Sequence, residues 1–107
     1  MEFKKLIKKA KEIKGIYKSL NRKQWNVAEY TQGLVGDMGD LMKLVMAKDG
    51  FREIKNIDEK LKHELSDCLW SILIIADELG INLEKEFMKN MDKLKNRLIN
   101  AGGRDSN

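Results

Sequence analysis

The chain has 107 residues, of which 42% are hydrophobic and 36% charged, and its formal net charge is +4. This length suits one domain, and the hydrophobic fraction excludes a disordered chain. The absence of proline and the scarcity of aromatic residues favour helices over strands. A single cysteine, Cys68, excludes an intrachain disulfide framework. No apolar run is long enough for a membrane span or a secretory signal, so we expect a cytoplasmic protein.

The first predicted helix runs from about Glu2 to Leu20 and is amphipathic. Its apolar residues recur every three or four positions, and lysines occupy the opposite face. One interpretation is a surface for nucleic acid or a membrane. The other is a bundle helix whose lysines are simply solvated. A polar break at residues 21–24 ends this helix.

Two further helices are predicted over residues from about 25 to 48 and from about 58 to 79, each with one apolar stripe. The stripe residues are Leu34, Met38, Leu41 and Val45 in the second helix, and Leu61, Leu65, Cys68, Ile72, Ile75 and Leu79 in the third. Asn56 and Glu59 have the spacing of a capping box ahead of the third helix. Gly80 occupies the usual position of a helix-ending glycine.

A fourth helix is predicted from just after Asn82 to about Ile99, with acidic residues in its first turn. Four helices with short connections predict an all-α, antiparallel four-helix bundle. We assign residues 1–101 to this single domain and residues 102–107 to a flexible tail.

Two pairs of acids lie on consecutive predicted helices, Asp37 with Asp40 and Glu64 with Asp67. At about 100° per residue, both pairs fall on the same side of their apolar stripes. If the two helices pack antiparallel through these stripes, all four carboxylates flank one groove. Four carboxylates at one place repel one another unless a hard divalent cation such as Mg²⁺ neutralises them. The alternative is that the acids lie on solvated helix flanks and pair with nearby lysines.

Four segments together resemble one family. LVGDMGDL at 34–41 resembles the E-V-G-E-L segment of MazG-like nucleotide pyrophosphohydrolases, with aspartate at both acidic positions. HELSDCLW at 63–70 resembles the second signature of that family, an acid pair spaced E-x-x-D, and ADELGINL at 76–83 resembles its helix-to-helix turn. FMKNMDK at 87–93, followed by Arg97, is similar to its N-x-x-K-x-x-x-R last helix. The resemblance covers about Trp25 to Arg97.

The resemblance implies an all-α NTP pyrophosphatase fold, completed as a homodimer or homotetramer. It also implies Mg²⁺-dependent hydrolysis of nucleoside triphosphates, NTP or dNTP, to a monophosphate and pyrophosphate, with Mn²⁺ as an alternative cofactor. The implied metal ligands are Asp37, Asp40, Glu64 and Asp67, of which Glu64 and Asp67 are the catalytic candidates. The implied substrate contacts are Asn90, Lys93 and Arg97 at phosphates or ribose, and Trp25 at the base.

Other functions stay open at the level of sequence. Aspartates in place of the family's first pair of glutamates are compatible with a non-catalytic nucleotide- or metal-binding module. The lysine-rich first helix is compatible with a small nucleic-acid-binding protein, although an acidic groove repels phosphates. A structural interaction protein would lack any metal dependence. Residues near the acids have simpler interpretations: we expect His63 at the surface, Trp70 in a core or interface, and Ser71 facing the site.

Overall fold

The computed structural model describes residues 2–20, 25–51 and 53–105, which form four α-helices. These are α1 (Phe3–Leu20), α2 (Val27–Met46), α3 (Ile57–Glu78) and α4 (Leu83–Asp105), with a short π-helical turn, Ala47–Phe51, after α2. The described ranges contain no strand, so the predicted all-α class is confirmed. None of their helices has both the length and the hydropathy needed to cross a membrane. The polar break predicted at 21–24 lies outside the described residues.

The start of α2 is a capping box. The side chain of Asn26 accepts a hydrogen bond from the Glu29 N–H at 2.9 Å, and the Glu29 carboxylate accepts one from the Asn26 N–H at 3.2 Å. The capping box predicted at Asn56 is wrong, since Asn56 has φ 58° and ψ 38° and makes no side-chain capping hydrogen bond. An N-cap side chain reaches the first-turn N–H groups from an extended backbone, which Asn56 lacks.

The connection between α3 and α4 follows the predicted pattern. Gly80 has φ 68°, and Ile81 N–H donates to the carbonyl of Ala76 at 2.9 Å, which ends α3 as a glycine C-cap does. Asn82 then accepts from the Lys85 N–H at 3.2 Å and begins α4. The helix α4 continues to Asp105, beyond the end that the sequence predicted. The flexible tail at 102–107 stays a prediction.

The core lies where α1, α2 and α3 meet. Ala10 from α1, Tyr30 from α2, and Leu73 and Ile74 from α3 form its buried cluster, and Ile74 is fully buried. Leu83, the first residue of α4, packs against the same cluster. Burying a large aliphatic side chain contributes about 1.5–3 kcal/mol, so this junction fixes how the first three helices sit together.

The apolar stripes predicted on α2 and α3 are only partly buried. Met38 and Val45 on α2 are 55% and 43% exposed, and Leu65 and Ile72 on α3 are 56% and 41% exposed. One chain therefore buries only part of each stripe. The reason is that α2 packs against α3 through the side carrying Tyr30 and Leu44, and this leaves the rest of each stripe outside the chain's own core.

The chain is far from spherical. Its radius of gyration is 17.8 Å and its accessible surface 8802 Å². A compact chain of this size has about 13 Å and about 6,100 Å². The excess arises because α4 makes few contacts with the other helices after Leu83, while α2 and α3 pack along each other.

Candidate functional site

Three acids meet where α2 packs against α3. Asp37 and Asp40 lie one turn apart on α2, Glu64 lies on α3, and each offers a carboxylate oxygen within 4.8 Å of the others. Asp40 is exposed, whereas Asp37 and Glu64 are partly buried. The Oε2 atom of Glu64 is buried and has no hydrogen-bond partner among the described groups. We call these three residues the acid cluster.

The electrostatics of the acid cluster disfavour its ionised form. Burial, followed by the charges of Asp67 and Asp40, raises the pKa of Asp37. Burial, followed by the charges of Asp37 and Asp40, raises the pKa of Glu64. The neighbouring thiol of Cys68 is buried, as predicted, and burial together with Asp37 raises its pKa as well. The protein alone therefore leaves a concentration of negative charge that a cation would neutralise.

The acid cluster fits a hard divalent cation. Carboxylate oxygens are the donors that Mg²⁺ and Mn²⁺ prefer, and three of them converge from two helices. The unpartnered Oε2 of Glu64 supplies a buried lone pair that is available to a cation.

Asp67, the fourth predicted acid, is turned toward a different partner. Its Oδ2 lies 3.1 Å from Nε2 of His63, one turn earlier on α3. Among the described side chains Asp67 is thus adjacent to the acid cluster without belonging to it, although its charge acts on both Asp37 and Glu64. His63 is 73% exposed, as expected of a surface residue, but its contact with Asp67 was not foreseen.

A cavity of about 680 Å³ opens beside these acids, between α1, α2 and α3. Its lining residues are Ile13, Lys14, Tyr17, Lys18, Trp25, Tyr30, Gly33, Asp37, Ser66, Asp67, Trp70, Ser71 and Glu78. Its aromatic wall is continuous. The ring centroid of Trp70 lies 5.9 Å from those of Tyr17 and Tyr30, and the ring centroid of Tyr30 lies 5.6 Å from that of Trp25. The cavity thus joins a carboxylate-rich region to a wall of aromatic rings.

The sequence placed Trp25 and Ser71 at the site, and both line this cavity. The contribution of α1 was missed. Lys14 and Lys18 lie one turn apart on the flank of the apolar stripe, next to Tyr17. This group of polar and aromatic residues was the sequence signal that could have indicated a role for α1 at the cavity. Trp70, expected in a core or interface, both packs against the core and lines the cavity.

A family model described as the MazG nucleotide pyrophosphohydrolase domain matches residues 26–100. The chain belongs to this family. The match includes α2, α3 and α4 up to residue 100, hence both acid pairs, and leaves α1 outside. The predicted resemblance is confirmed.

A curated relative from a bacteriophage extends the comparison. Over 71 residues the chain is 34% identical to the Gene 37 protein of Mycobacterium phage L5, a match that covers 63% of this chain. The chain spans about six-tenths of the length of that relative, 61%. No match to a solved structure was found.

The MazG-like residues of α4 lie apart from the acid cluster within one chain. Asn90 and Lys93 line a separate depression of about 390 Å³, together with Phe87 and other residues of α4. Arg97 lines neither hollow. The substrate contacts predicted for Asn90, Lys93 and Arg97 therefore stay predictions, since one copy of the chain does not bring them to the acids.

Proposed function

We propose that this protein hydrolyses nucleoside triphosphates, NTP or dNTP, to a nucleoside monophosphate and pyrophosphate in a Mg²⁺-dependent reaction. Membership of the MazG family supports a nucleotide pyrophosphohydrolase at the family level. The observation that carries the finer proposal is the position of the acid cluster: its three carboxylates lie within 4.8 Å of one another, and one of them, that of Asp37, lines a cavity of about 680 Å³ with an aromatic wall. Stacking surfaces beside a cation site suit a base attached to a triphosphate.

Asp37, Asp40 and Glu64 would hold Mg²⁺, with Mn²⁺ as the alternative. When bound, the cation neutralises charge on the triphosphate and on the leaving pyrophosphate. We assign an essential role to Glu64, because its buried Oε2 has no partner among the described groups. Trp25 would contact the base from the half-exposed edge of the cavity.

Asp67 is our candidate general base. It lines the cavity beside the acid cluster, and His63 holds its carboxylate at 3.1 Å. In this assignment Asp67 accepts a proton from water as the water oxygen bonds to the α-phosphorus. The bond from that phosphorus to the bridging oxygen breaks, and the electron pair leaves with pyrophosphate. This role separates Asp67 from the three residues that hold the cation.

We further propose a homodimer or homotetramer. The accessible surface of 8802 Å² exceeds the about 6,100 Å² of a compact monomer. Much of the exposed apolar surface lies on α2 and α3, where Val35, Met38, Met42, Leu65 and Leu69 are each at least 42% exposed. A second copy that covered this face could bring its own α4, with Asn90 and Lys93, toward the acids of the first.

The test is pyrophosphate release from a panel of NTPs and dNTPs with Mg²⁺, Mn²⁺ or EDTA. We expect metal-dependent release by the wild type and a loss of more than about 100-fold in Glu64→Gln. Glu59→Gln is the matched control on the same helix, since Glu59 is exposed and pairs with Lys62 away from the cavity. Equal release by both variants, or release that persists in EDTA, would contradict the proposal.

A second candidate is a non-catalytic module that binds nucleotide and metal. The observation in its favour is the pair of aspartates on α2, combined with an Asp67 that faces His63. Metal-dependent nucleotide binding without release of pyrophosphate would select this candidate. Binding to nucleic acid, the least favoured alternative, would instead show a steep dependence on salt. A cytoplasmic location stays a prediction.

A further inference from the structure

The least exposed ion pairs among the described residues fasten α1 to the C-terminal end of α3. The ammonium of Lys14 contacts the carboxylate of Glu78 and lies 3.5 Å from that of Asp77. These three side chains are 22%, 27% and 28% exposed. Lys11 adds a second contact to Asp77 at 3.6 Å. We call this network between the two helices the latch. Its inner half is the pair Lys14 and Glu78, and its outer half is the pair Lys11 and Asp77.

The inner half faces the cavity of about 680 Å³ between α1, α2 and α3. Lys14 and Glu78 line the cavity, whereas Lys11 and Asp77 do not. A purely structural latch has no need to place a cation and an anion on a cavity wall. The helix α1 also lies outside the residues matched by the family, 26–100, so Lys14 lies outside the matched MazG segment and Glu78 lies within it.

This pair lies at the end of the cavity that is farther from the acids on α3. Glu78 follows Asp67 on α3 by about three turns, ~16 Å along the helix axis, and follows Glu64 of the acid cluster by about four turns, ~21 Å. Trp70 and Ser71 line the wall between them. A nucleotide with its phosphates at the acid cluster and its rings along the aromatic wall would extend the edge of its base toward Lys14 and Glu78.

The pair keeps free hydrogen-bonding capacity. An ammonium has three donors and a carboxylate has two acceptor oxygens, so their mutual contact uses only part of each. Partial burial opposes the charge of Lys14, but Glu78 and Asp77 outweigh it and raise the pKa of Lys14. Lys14 is therefore a cation at neutral pH and can donate to the substrate.

We propose that Lys14 and Glu78 determine base selectivity by hydrogen bonding to the edge of the base. Lys14 donates to a ring nitrogen or carbonyl oxygen, and Glu78 accepts from an N–H group. The inference rests on the proposed function, because it takes the substrate to be a nucleotide whose phosphates lie at the acid cluster.

The experiment measures equilibrium binding to the full chain in Mg²⁺ through tryptophan fluorescence, since Trp25 and Trp70 both line the cavity. Each nucleoside triphosphate is used as its non-hydrolysable α,β-imido analogue, so that the proposed reaction does not consume it. The ligands are the four common NTPs, purine riboside triphosphate, whose base lacks exocyclic groups, and inorganic tripolyphosphate, which has no base. Lys14→Gln and Glu78→Gln are the test variants. Lys11→Gln and Asp77→Asn are the controls, because both residues belong to the latch and neither lines the cavity.

We expect the wild type to prefer its best natural NTP over purine riboside triphosphate by about tenfold or more, the range of one or two hydrogen bonds. Both test variants should bring this ratio close to one and leave the affinity for tripolyphosphate unchanged. Both controls should keep the wild-type ratio. A ratio that changes equally in test and control variants, alongside lower thermal stability, would overturn the proposal and leave a structural latch.

The outcomes separate this inference from the proposed function. Base-selective binding that depends on Lys14 and Glu78, without hydrolysis, would uphold the inference and refute the hydrolase. Hydrolysis with no selectivity between bases would uphold the hydrolase and refute the inference. A wild type that binds none of these ligands would refute both.

Discussion

The indole Nε1 of Trp70 on α3 donates a 3.1 Å hydrogen bond to the main-chain oxygen of Ala10 on α1. The ring of Trp70 also packs edge-on against Tyr17 and Tyr30, with centroids 5.9 Å away in each case. One side chain thus joins the helix outside the family match to the two helices that carry the acids. This contact, together with the core cluster and the ion pairs of Lys14, positions α1 at the cavity.

Replacing Trp70 with Phe should lower the free energy of unfolding by about 1 kcal/mol. The variant keeps an aromatic ring in the same position and removes only the indole N–H and part of the packed surface. Urea denaturation followed by circular dichroism measures the change. Trp25→Phe is the control, because Trp25 is 49% exposed and lies at the edge of the cavity. Equal destabilisation by both substitutions would contradict a specific role for the contact with Ala10.

Two glycines should respond in opposite directions to alanine. Gly80 has φ 68°, so Gly80→Ala should destabilise the protein by about 1–2 kcal/mol. An added Cβ at Gly39 meets nothing within 4 Å, so Gly39→Ala should stabilise α2 by about 1 kcal/mol. Thermal unfolding of both variants measures the pair. A destabilised Gly39→Ala would indicate that a second copy packs against this position.

Glu64→Gln should stabilise the metal-free protein and abolish its stabilisation by Mg²⁺. The substitution removes a charge that burial and the two aspartates of α2 disfavour, and it also removes a ligand of the cation. The measurement is the melting temperature with and without Mg²⁺, and Glu59→Gln is the control. Retention of the full Mg²⁺ effect in Glu64→Gln would place the cation elsewhere.

The acid cluster also predicts a dependence of stability on pH. Because the pKa values of Asp37 and Glu64 are raised in the folded state, the unfolded chain releases these protons at lower pH. The folded form then binds more protons across that interval, so the stability of the metal-free protein falls as pH rises above the usual carboxyl range. Acidification restores it.

The double variant Asp37→Asn/Glu64→Gln isolates this effect from all other titrating groups. Its melting temperature should exceed that of the wild type at about pH 7, and the two should converge toward about pH 4. Saturating Mg²⁺ should cancel the difference by stabilising the wild type alone. A difference that is constant across this range would show that the two carboxyls titrate normally.

A charge on the exposed apolar face should disrupt the proposed oligomer. Met42 on α2 is 60% exposed and Leu69 on α3 is 42% exposed. Met42→Glu and Leu69→Glu should each shift the chain toward monomer in size-exclusion chromatography with light scattering. Lys8→Glu on the exposed face of α1 is the control. A wild type that is already monomeric would remove the basis of this prediction.

The sequence by itself determined the helices and the positions of the acids along them. Periodicity located α2 and α3, and the residues around Gly80 and Asn82 gave the turn before α4, because these are local properties of the backbone. The spacing of the acid pairs indicated that their carboxylates could meet, and the motifs indicated the family. Asn56 shows the limit of such local signals, since its left-handed conformation is incompatible with the capping geometry that the spacing predicted.

Only the tertiary structure decided which faces are buried and which side chains share a cavity. Met38 and Leu65 fit an apolar stripe as well as any core residue, yet each is more than half exposed in the described part of the chain. Asp67 has the same place in its pair as Asp40, but its carboxylate contacts His63 and is not one of the three that form the acid cluster. The role of α1 in the cavity depends on its contacts with α3, made by residues about sixty positions apart. Helical periodicity shows which face of a helix is apolar. It carries no information about which other helix, or which copy of the chain, packs against that face.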